Sequence, residues 1–386
     1  MTSTLHVGWY ELHPDTSLNF QLNRWAAYGG PRWIEDVRPV VSKLTSYKAW
    51  IDTFVTLGET ALSDGRPFHA ALHFRCAEFF VTSDDPRKQP LRAKLLPLLR
   101  AGSGVPESAR RWVPFDGAQL PAWHFVPERS KGTFVVFGGF DSYIEEFFPF
   151  LTQMRDDEWT VVAFEGPGQG TPLEEGRTVI TPDWHRPVAA VLDAFGLDDV
   201  TLVGLSLGGN LVIRAAALEP RVRRVIAWDI LPDFYECMTL PLPPSLRSLA
   251  DNATNADTQS KFDLAVRDAQ VKSPLLDWSV KQALHILGCQ SPHEVFARAR
   301  DFHTRDVSGR VRQDVLLLAG AQDHYVPLEQ AFEQARLLSA ARSITLRIFT
   351  KDEYAQEHCQ SGNMPLAVGV IEDWAEERAG PPRRVG

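Results

Sequence analysis

The sequence predicts an α/β fold in which a mostly parallel sheet is covered by helices on both of its faces. Six short apolar runs rich in β-branched and aromatic residues alternate with helix-like or longer segments, a pattern typical of buried parallel strands. A helical segment precedes these runs, and a long insertion separates two of them. With 386 residues, of which 44% are hydrophobic, the chain can bury a large core.

The first quarter of the chain is rich in aromatic residues that recur at the spacing of helix faces. Stripes of this kind pack a helical core more often than they bind a cofactor, so we expect no cofactor. Gly65-Arg66-Pro67 breaks one predicted helix from the next. The predicted helices cover residues 36–43, 46–62, 68–81 and 89–99, within a helical domain of residues 1–108.

The predicted sheet has eight strands. Asp116-Gly117 is a hairpin signal between the first two strands, and the six apolar runs supply the others. The expected strands cover residues 111–115, 120–126, 132–137, 159–164, 200–205, 224–228, 315–319 and 344–349. The sheet is thus divided between two parts of the chain, 109–235 and 311–378, and residues 379–386 are expected to form a flexible tail.

An insertion separates the sixth predicted strand from the seventh. Roughly 80 residues lie between Asp229 and Val315, far more than a simple crossover needs. The helices predicted within it cover residues 261–271, 275–287 and 292–302. An insertion after the carboxyl end of a strand lies over the active-site side of an open α/β sheet, so we expect residues 236–310 to form a helical lid.

The composition argues against several classes of function. The net charge is −9 and no block is rich in Lys and Arg, so a nucleic-acid partner is not expected. Residues 1–8 lack a basic stretch followed by an apolar one, and no apolar run approaches the roughly 20 residues of a membrane span. We therefore expect a cytoplasmic protein without a membrane partner. The four cysteines are far apart, which argues against a disulfide framework and a zinc site.

The turn around Ser206 carries the candidate nucleophile. An apolar run at 199–203 precedes it, and a helix-like run at 210–217 follows. Gly204 and Gly208, two residues to either side, allow a sharp backbone turn that exposes the serine hydroxyl above the sheet. The alternative is a glycine-rich strand-to-helix turn without any chemical role.

A serine hydroxyl needs a base within hydrogen-bond reach and an acid that orients the base. Asp323 follows the strand at 315–319, and His358 lies in the loop after the last strand. The chain order of serine, acid and histidine is the one expected for this sheet topology. His324 is the main alternative base, but it adjoins Asp323 in sequence and would bridge the acid to Ser206 poorly. Asp323 could alternatively be a turn residue.

The negative charge that develops on a carbonyl oxygen requires two fixed backbone donors. The N–H group of Leu207, directly after the candidate nucleophile, is one candidate. The loop at 138–141 follows the third strand and offers the second, with Phe140 preferred over Gly139. No cluster of His, Cys, Asp and Glu has the spacing of metal ligands, so no metal is expected.

Several motifs together resemble the α/β-hydrolase superfamily. They are Gly204-Leu205-Ser206-Leu207-Gly208-Gly209, Phe164-Glu165-Gly166-Pro167-Gly168-Gln169-Gly170, Gly320-Ala321-Gln322-Asp323 and Glu357-His358-Cys359-Gln360. Three others resemble the branch that contains 2,6-dihydroxypseudooxynicotine hydrolase, the fungal hydrolases that shorten polyketides, and the fermentation/respiration switch proteins. These are Arg75-Cys76-Ala77-Glu78-Phe79-Phe80, Gly138-Gly139-Phe140-Asp141-Ser142-Tyr143-Ile144-Glu145-Glu146 and Asp373-Trp374.

The resemblance implies an α/β-hydrolase core preceded by a helical domain, and a homodimer is among the assemblies that it implies. In the best-known members of the branch the reaction is cleavage of a C–C bond next to a ketone, assisted by an acidic residue. Asp229, Asp233 and Glu236 lie in the comparable stretch, but no local motif selects one of them. Tyr143, in the donor loop, is a further candidate for contact with substrate.

These observations predict a serine hydrolase that acts through an acyl-enzyme on a small molecule. We expect a bulky, aromatic or polyketide-like metabolite with an ester bond or a C–C bond next to a ketone. Acyl transfer or elimination in secondary metabolism is an alternative, because the outcome depends on whether water is admitted. A regulatory or binding protein without activity is the alternative from another class. A small, polar cavity beneath residues 240–302 would argue against a bulky substrate.

Overall fold

The computed structural model describes residues 5–379 and confirms the predicted α/β fold with its eight-stranded sheet. Residues 1–4, and residues 380–386 of the predicted tail, lie outside the described part, and Ala379 is the last residue of the final helix. The strands are β1 (Arg110–Phe115), β2 (Ala118–Phe125), β3 (Thr133–Phe137), β4 (Thr160–Phe164), β5 (Val200–Leu205), β6 (Val222–Trp228), β7 (Asp314–Gly320) and β8 (Ser343–Phe349).

The strand order in the sheet is β1-β2-β4-β3-β5-β6-β7-β8. β2 is antiparallel to both β1 and β4, and every other neighbouring pair is parallel. Because parallel strands share one direction, their carboxyl ends meet at one edge of the sheet. That edge brings together loops that are far apart in sequence.

Four helices precede the sheet: α1 (Thr16–Val37), α2 (Tyr47–Ser63), α3 (Pro67–Phe79) and α4 (Lys88–Gly102). The prediction of a helix over 36–43 is wrong, because α1 ends at Val37 and only a short 3-10 turn, Val41–Lys43, follows. The Asp15 side chain caps α1 by accepting the Leu18 N–H. Gly30 has a φ of 59°, so α1 kinks there, and the helix continues from Pro31 to Val37.

The helices between and after the strands cover the sheet. Those before the insertion are α5 (Phe148–Asp156), α6 (Gly170–Glu174), α7 (His185–Phe195) and α8 (Leu207–Ala216). The insertion between β6 and β7 holds α9 (Phe234–Thr239), α10 (Pro244–Asp251), α11 (Ala256–Gln270), α12 (Pro274–Leu287) and α13 (Pro292–Ala299). The last two are α14 (Leu328–Leu337) and α15 (Met364–Ala379). The sequence predicted α11, α12 and α13 but missed α9 and α10, which have 6 and 8 residues.

The two faces of the sheet belong to two hydrophobic clusters. Phe134 and Val136 of β3 pack into the cluster that contains α1 to α4, whereas Val135 and Phe137 pack into the cluster that contains the insertion. This alternation is the two-residue period of a strand buried on both faces. Among residues 5–379, no helix has the length and apolar character required to cross a membrane.

The insertion also contacts the front helices. The indole N–H of Trp278 in α12 donates to the Phe79 carbonyl of α3 at 3.1 Å, and the two rings stack with centroids 5.1 Å apart. This contact joins the insertion to the N-terminal helices.

Candidate active site

Ser206 occupies a strained turn between β5 and α8. Its backbone angles, φ 59° and ψ −124°, lie in a region that residues other than glycine rarely adopt. A Cβ atom on Gly204 would overlap the Gly208 carbonyl, and a Cβ atom on Gly208 would lie 2.7 Å from the Gly138 oxygen. The two glycines therefore permit the turn, which holds the Ser206 hydroxyl at the carboxyl end of β5.

A hydrogen-bonded chain joins Ser206, His358 and Asp323. His358 Nε2 lies 2.8 Å from Ser206 Oγ, and His358 Nδ1 lies 2.6 Å from Asp323 Oδ2. The other oxygen of Asp323 accepts the backbone N–H groups of Tyr325 at 2.7 Å and Val326 at 3.0 Å. The structure thus brings together the three side chains that the sequence selected, and two backbone bonds hold the acid in place.

His324, the alternative base, has a different environment. Its ring packs against Tyr325 and Phe20, with centroid separations of 3.9 and 4.9 Å. Its Nδ1 atom lies 3.4 Å from the Glu357 carboxylate. The imidazole beside the nucleophile is therefore that of His358. Phe20, from α1, also lies edge-on to the His358 ring at 6.1 Å, so the front helices form one wall of the site.

The electrostatics of the site favour a charged imidazole. Burial opposes protonation of His358, but the charge of Asp323, together with its hydrogen bond and the neighbouring Cys359 side chain, outweighs burial and raises the pKa of His358 well above its ordinary value. Burial also opposes ionisation of Asp323, yet the charge of His358 and the backbone donors hold the pKa of Asp323 below its ordinary value. An imidazolium that forms during a reaction is therefore stabilised by an ionised carboxylate.

Asp229, a candidate for substrate contact, lies behind the imidazole. It directly follows β6 with a positive φ of 63°, and it is 1% exposed. Its Oδ2 atom lies 3.3 Å from His358 Nδ1, and its carboxylate accepts hydrogen bonds from the Cys359 backbone N–H and from Gln360 Nε2. This burial does not favour direct contact with substrate.

The other two acidic candidates have structural partners. Asp233 caps α9 by accepting the Glu236 N–H at 3.0 Å, and it pairs with Arg305 at 2.8 Å. Glu236 is exposed, and its carboxylate accepts a hydrogen bond from Gln330 Nε2 at 3.0 Å. Neither contact joins these carboxylates to Ser206.

The loop after β3 packs directly against the nucleophile turn. A Cβ atom on Gly139 would lie 2.8 Å from Ser206 Cβ and 3.0 Å from the Leu207 nitrogen. The Gly139 N–H already donates to Ser142 Oγ at 3.4 Å. In the hydrogen bonds of residues 5–379, neither the Phe140 N–H nor the Leu207 N–H has a protein acceptor. The geometry therefore favours Phe140 over Gly139 as the partner of Leu207 in binding an oxyanion.

A buried network of charges ties this loop to the front helices. Arg75 of α3 donates to the Asp141 carbonyl at 2.7 Å and to Glu146 at 2.6 Å. The Tyr143 hydroxyl donates to Glu78 at 2.7 Å, and its backbone N–H donates to Glu146 at 2.9 Å. Lys88 and Arg24 complete the network, with Lys88 2.6 Å from Glu78 and Arg24 2.5 Å from Glu146.

This network keeps the Glu78 carboxylate ionised despite its burial. Burial alone would raise the pKa of Glu78, but the charges of Lys88 and Arg75 outweigh it and lower that pKa to about 2. Sequence reasoning placed Arg75, Glu78 and Glu146 in family motifs but did not assign them this role. No local sequence pattern reveals this network, because α1, α3 and α4 lie before the sheet whereas their partners lie in the loop after β3.

A cavity lies on the far side of the donor loop, bounded by α3, α4 and α12. Most of its lining residues are charged or polar, among them Arg75, Lys88, Asp141, Tyr143 and Gln282. The Ser206 side chain is not part of its lining. Because Ser206 does not line it, this cavity does not test the bulky, aromatic or polyketide-like substrate expected from the sequence. Asp141, which the sequence did not single out, is one of its acidic groups.

One group of side chains offers the ligand types of a metal site. Ligand atoms of Asp229, His358 and Cys359 lie within 4.8 Å of one another. However, His358 Nδ1 already faces Asp323, and burial raises the pKa of the Cys359 thiol to about 11. A protonated thiol is a poor ligand, so these residues suit acid–base chemistry better than metal binding.

Comparison with known proteins identifies the family. The model of the α/β-hydrolase fold matches residues 133–349, from β3 to β8, which is more than half of the chain. Hydrolase acrC of Aspergillus aculeatus is 26% identical over 335 residues, covering 74% of this chain and 76% of that protein. The 2,6-dihydropseudooxynicotine hydrolase of Paenarthrobacter nicotinovorans is 29% identical over 213 residues, covering 52% of this chain and 57% of that protein.

Solved structures agree on the fold. The crystal structure of 2,6-dihydroxy-pseudo-oxynicotine hydrolase matches with a TM-score of 0.60 and 21% identity, over 86% of this chain and 87% of that one. AbyA5 matches with a TM-score of 0.64 and 18% identity, over 93% and 98%. These relatives confirm the resemblance seen in the motifs. The family match and the named hydrolases among its relatives show that the chain belongs to the α/β-hydrolase family and is an enzyme of the hydrolase class.

Proposed function

We propose that the protein is a serine hydrolase with Ser206 as nucleophile, His358 as base and Asp323 as the acid of the triad. The observation that carries the proposal is the chain of 2.8 and 2.6 Å contacts from the serine oxygen through the imidazole to the carboxylate. The strained turn at Ser206 and the raised pKa of His358 support it.

In this mechanism His358 Nε2 takes the hydroxyl proton as Ser206 Oγ attacks a carbonyl carbon. Asp323 stabilises the imidazolium that forms, and the N–H groups of Phe140 and Leu207 bind the oxyanion. The imidazolium then gives its proton to the leaving group as the bond to the carbonyl carbon breaks. Water, deprotonated by His358, attacks the acyl-enzyme, and the proton returns to Ser206 as the acid product leaves.

The substrate we infer is a small carbonyl metabolite, cleaved at an ester bond or at a C–C bond next to a ketone. The relatives, which include a 2,6-dihydropseudooxynicotine hydrolase and a hydrolase of Aspergillus aculeatus, support this class. We further infer that the enzyme acts in secondary metabolism in the cytoplasm. We also infer that residues 236–310 form a lid over the active site and that the protein assembles as a homodimer.

Active-site labelling tests the proposal. A fluorophosphonate probe should label the wild-type protein at Ser206, as located by peptide mass spectrometry, and should not label the Ser206→Ala variant. The Ser308→Ala variant is the matched control, because Ser308 is buried beside the start of β7 and bonds to the Thr304 carbonyl. Labelling that survives in Ser206→Ala, or is absent from the wild type, would overturn the assignment.

A panel of aryl esters and β-diketones then separates the possible reactions. Hydrolysis gives a free acid, and a transient acyl adduct on Ser206 should be visible by intact-protein mass spectrometry. Acyl transfer would instead require an added alcohol or amine for turnover, and elimination would give an unsaturated product with no acyl adduct. A free acid formed only when Ser206 is present supports the hydrolase.

A further inference from the structure

Two carboxylates face the same nitrogen of His358. Asp323 Oδ2 lies 2.6 Å from Nδ1, and Asp229 Oδ2 lies 3.3 Å from it. The two acids come from adjacent parallel strands, since Asp229 follows β6 and Asp323 lies beyond the end of β7. Both side chains are nearly inaccessible to solvent, with exposed fractions of 1% and 2%. A triad needs only one acid, so the second carboxylate requires an explanation.

Asp229 also holds the loop that carries His358. Its carboxylate accepts the backbone N–H of Cys359, directly after the histidine, and the side-chain amide of Gln360 at 3.0 Å. The Gln360 oxygen in turn accepts the indole N–H of Trp228 at 2.7 Å. Cys359 and Gln360 both have a φ of 48°, so this loop adopts a backbone conformation that needs support from outside.

We propose that Asp229 is a positioning residue that fixes the His358 loop and serves as a second acid on Nδ1, able to take part of the role of Asp323. The inference rests on the proposed triad. The Nδ1 hydrogen bond goes to Asp323, the nearer carboxylate, whereas Asp229 at 3.3 Å makes no hydrogen bond to Nδ1 and acts on it through its charge. When Nε2 takes the serine proton, the imidazolium then faces both carboxylates.

The surroundings of Asp229 make its contribution depend on pH. The titratable groups that face it are Asp323, His358 and Cys359. Burial and the negative charge of Asp323 together raise the pKa of Asp229 to about 6, against the opposing effect of His358. Asp229 is therefore charged above about pH 6 and neutral below it. Its stabilisation of the imidazolium is present at higher pH and is lost as the pH falls.

A double-mutant cycle tests the inference, with the rate of fluorophosphonate labelling as the readout. On the high-pH plateau, where His358 is neutral in every variant, we expect Asp229→Asn alone to slow labelling about tenfold, as for the loss of one pKa unit of stabilisation on the imidazole. In the Asp323→Asn background, where Asp229 is the remaining acid, the same replacement should slow labelling at least about a hundredfold. If Asp229→Asn slows labelling by the same factor in the wild type and in Asp323→Asn, the two acids act independently and the proposal is overturned.

Two measurements separate positioning from a merely structural role. The labelling rate falls at low pH as His358 becomes protonated, and this acid limb should move to lower pH in Asp229→Asn because the imidazole loses a negative neighbour. The downfield NMR signal of the His358 Nδ1 proton should also shift in this variant. An unchanged limb and an unchanged signal would contradict the second-acid role. Asp314→Asn is the matched control: that buried Asp, paired with Arg342 and Ser343, lies at the opposite end of β7 and should leave both unchanged.

The outcome is distinct from failure of the proposed function. If Ser206→Ala still reacts with the probe, the triad itself is wrong. A second outcome is labelling that depends on Ser206 while Asp229→Asn slows it by the same factor with Asp323 present and with Asp323→Asn. In that case only the role of Asp229 fails. Where Asp229→Asn folds poorly, Gln360→Ala removes one of the two donors that hold Asp229 and should slow labelling while leaving both carboxylates in place.

Discussion

The hydroxyl of Tyr143 donates a 2.7 Å hydrogen bond to the buried carboxylate of Glu78, and this bond connects the loop after β3 to helix α3. Glu78 is held in turn by Arg75 and Lys88, each at 2.6 Å. The front helices therefore do more than pack against the sheet. They hold the loop whose Phe140 N–H is the proposed oxyanion donor.

Replacing Tyr143 with Phe should weaken this support. Removing the donor leaves a buried carboxylate oxygen with one partner fewer, which costs about 1–3 kcal/mol of unfolding free energy. We also expect a lower kcat with little change in KM, because a displaced donor loop weakens stabilisation of the transition state more than substrate binding. Chemical denaturation and steady-state kinetics measure the two effects. Tyr354→Phe, at a residue 51% exposed, is the control and should change neither.

Gly204→Ala should disrupt the nucleophile turn. The added methyl group would overlap the Gly208 carbonyl, and overpacking of this kind costs about 1–3 kcal/mol or more. Labelling of Ser206 should fall with it, since the turn that exposes the hydroxyl would shift. Gly369→Ala in α15 is the matched control, because no atom lies within 4 Å of its added Cβ and alanine favours a helix by about 0.5–1 kcal/mol. Equal stability of the two variants would contradict the argument.

The rate of labelling should rise with pH as His358 loses its proton. His358 must be neutral to accept the proton of Ser206, and its raised pKa means that the midpoint should lie above the ordinary value of about 6.5. Asp323→Asn should lower the midpoint, because the neighbouring negative charge that raises the pKa is lost. A midpoint below 6.5 in the wild type would show that burial, rather than Asp323, dominates the titration of His358.

The contact between Trp278 and Phe79 should control opening of the proposed lid. Trp278→Ala removes the 3.1 Å hydrogen bond and the ring stacking, so α12 should lose protection from amide hydrogen exchange. Mass spectrometry of exchanged peptides measures the change. Leu264→Ala, at a residue 61% exposed on α11, is the control and should leave exchange unaltered. Unchanged protection of α12 in Trp278→Ala would place the anchor of the insertion elsewhere.

The sequence was informative where local chemistry is decisive. Alternating apolar strands predicted the parallel sheet, and the glycine pair at Gly204 and Gly208 predicted the turn at Ser206. The sequence was less informative about helix limits. It predicted a helix over 36–43, whereas α1 runs from Thr16 to Val37 through the kink at Gly30. Packing of α1 against the core keeps it helical through Gly30 and Pro31, two residues of low helix propensity.

The sequence by itself determined the α/β fold and selected Ser206, Asp323 and His358, because parallel strands bring their carboxyl ends, and the loops that follow, to one edge of the sheet. Only the tertiary structure decided that Asp229 lies behind the imidazole, within 3.3 Å of His358 Nδ1. Side-chain direction in these loops depends on backbone turns with positive φ and on partners distant in sequence. Neither of these leaves a periodic signal in the chain.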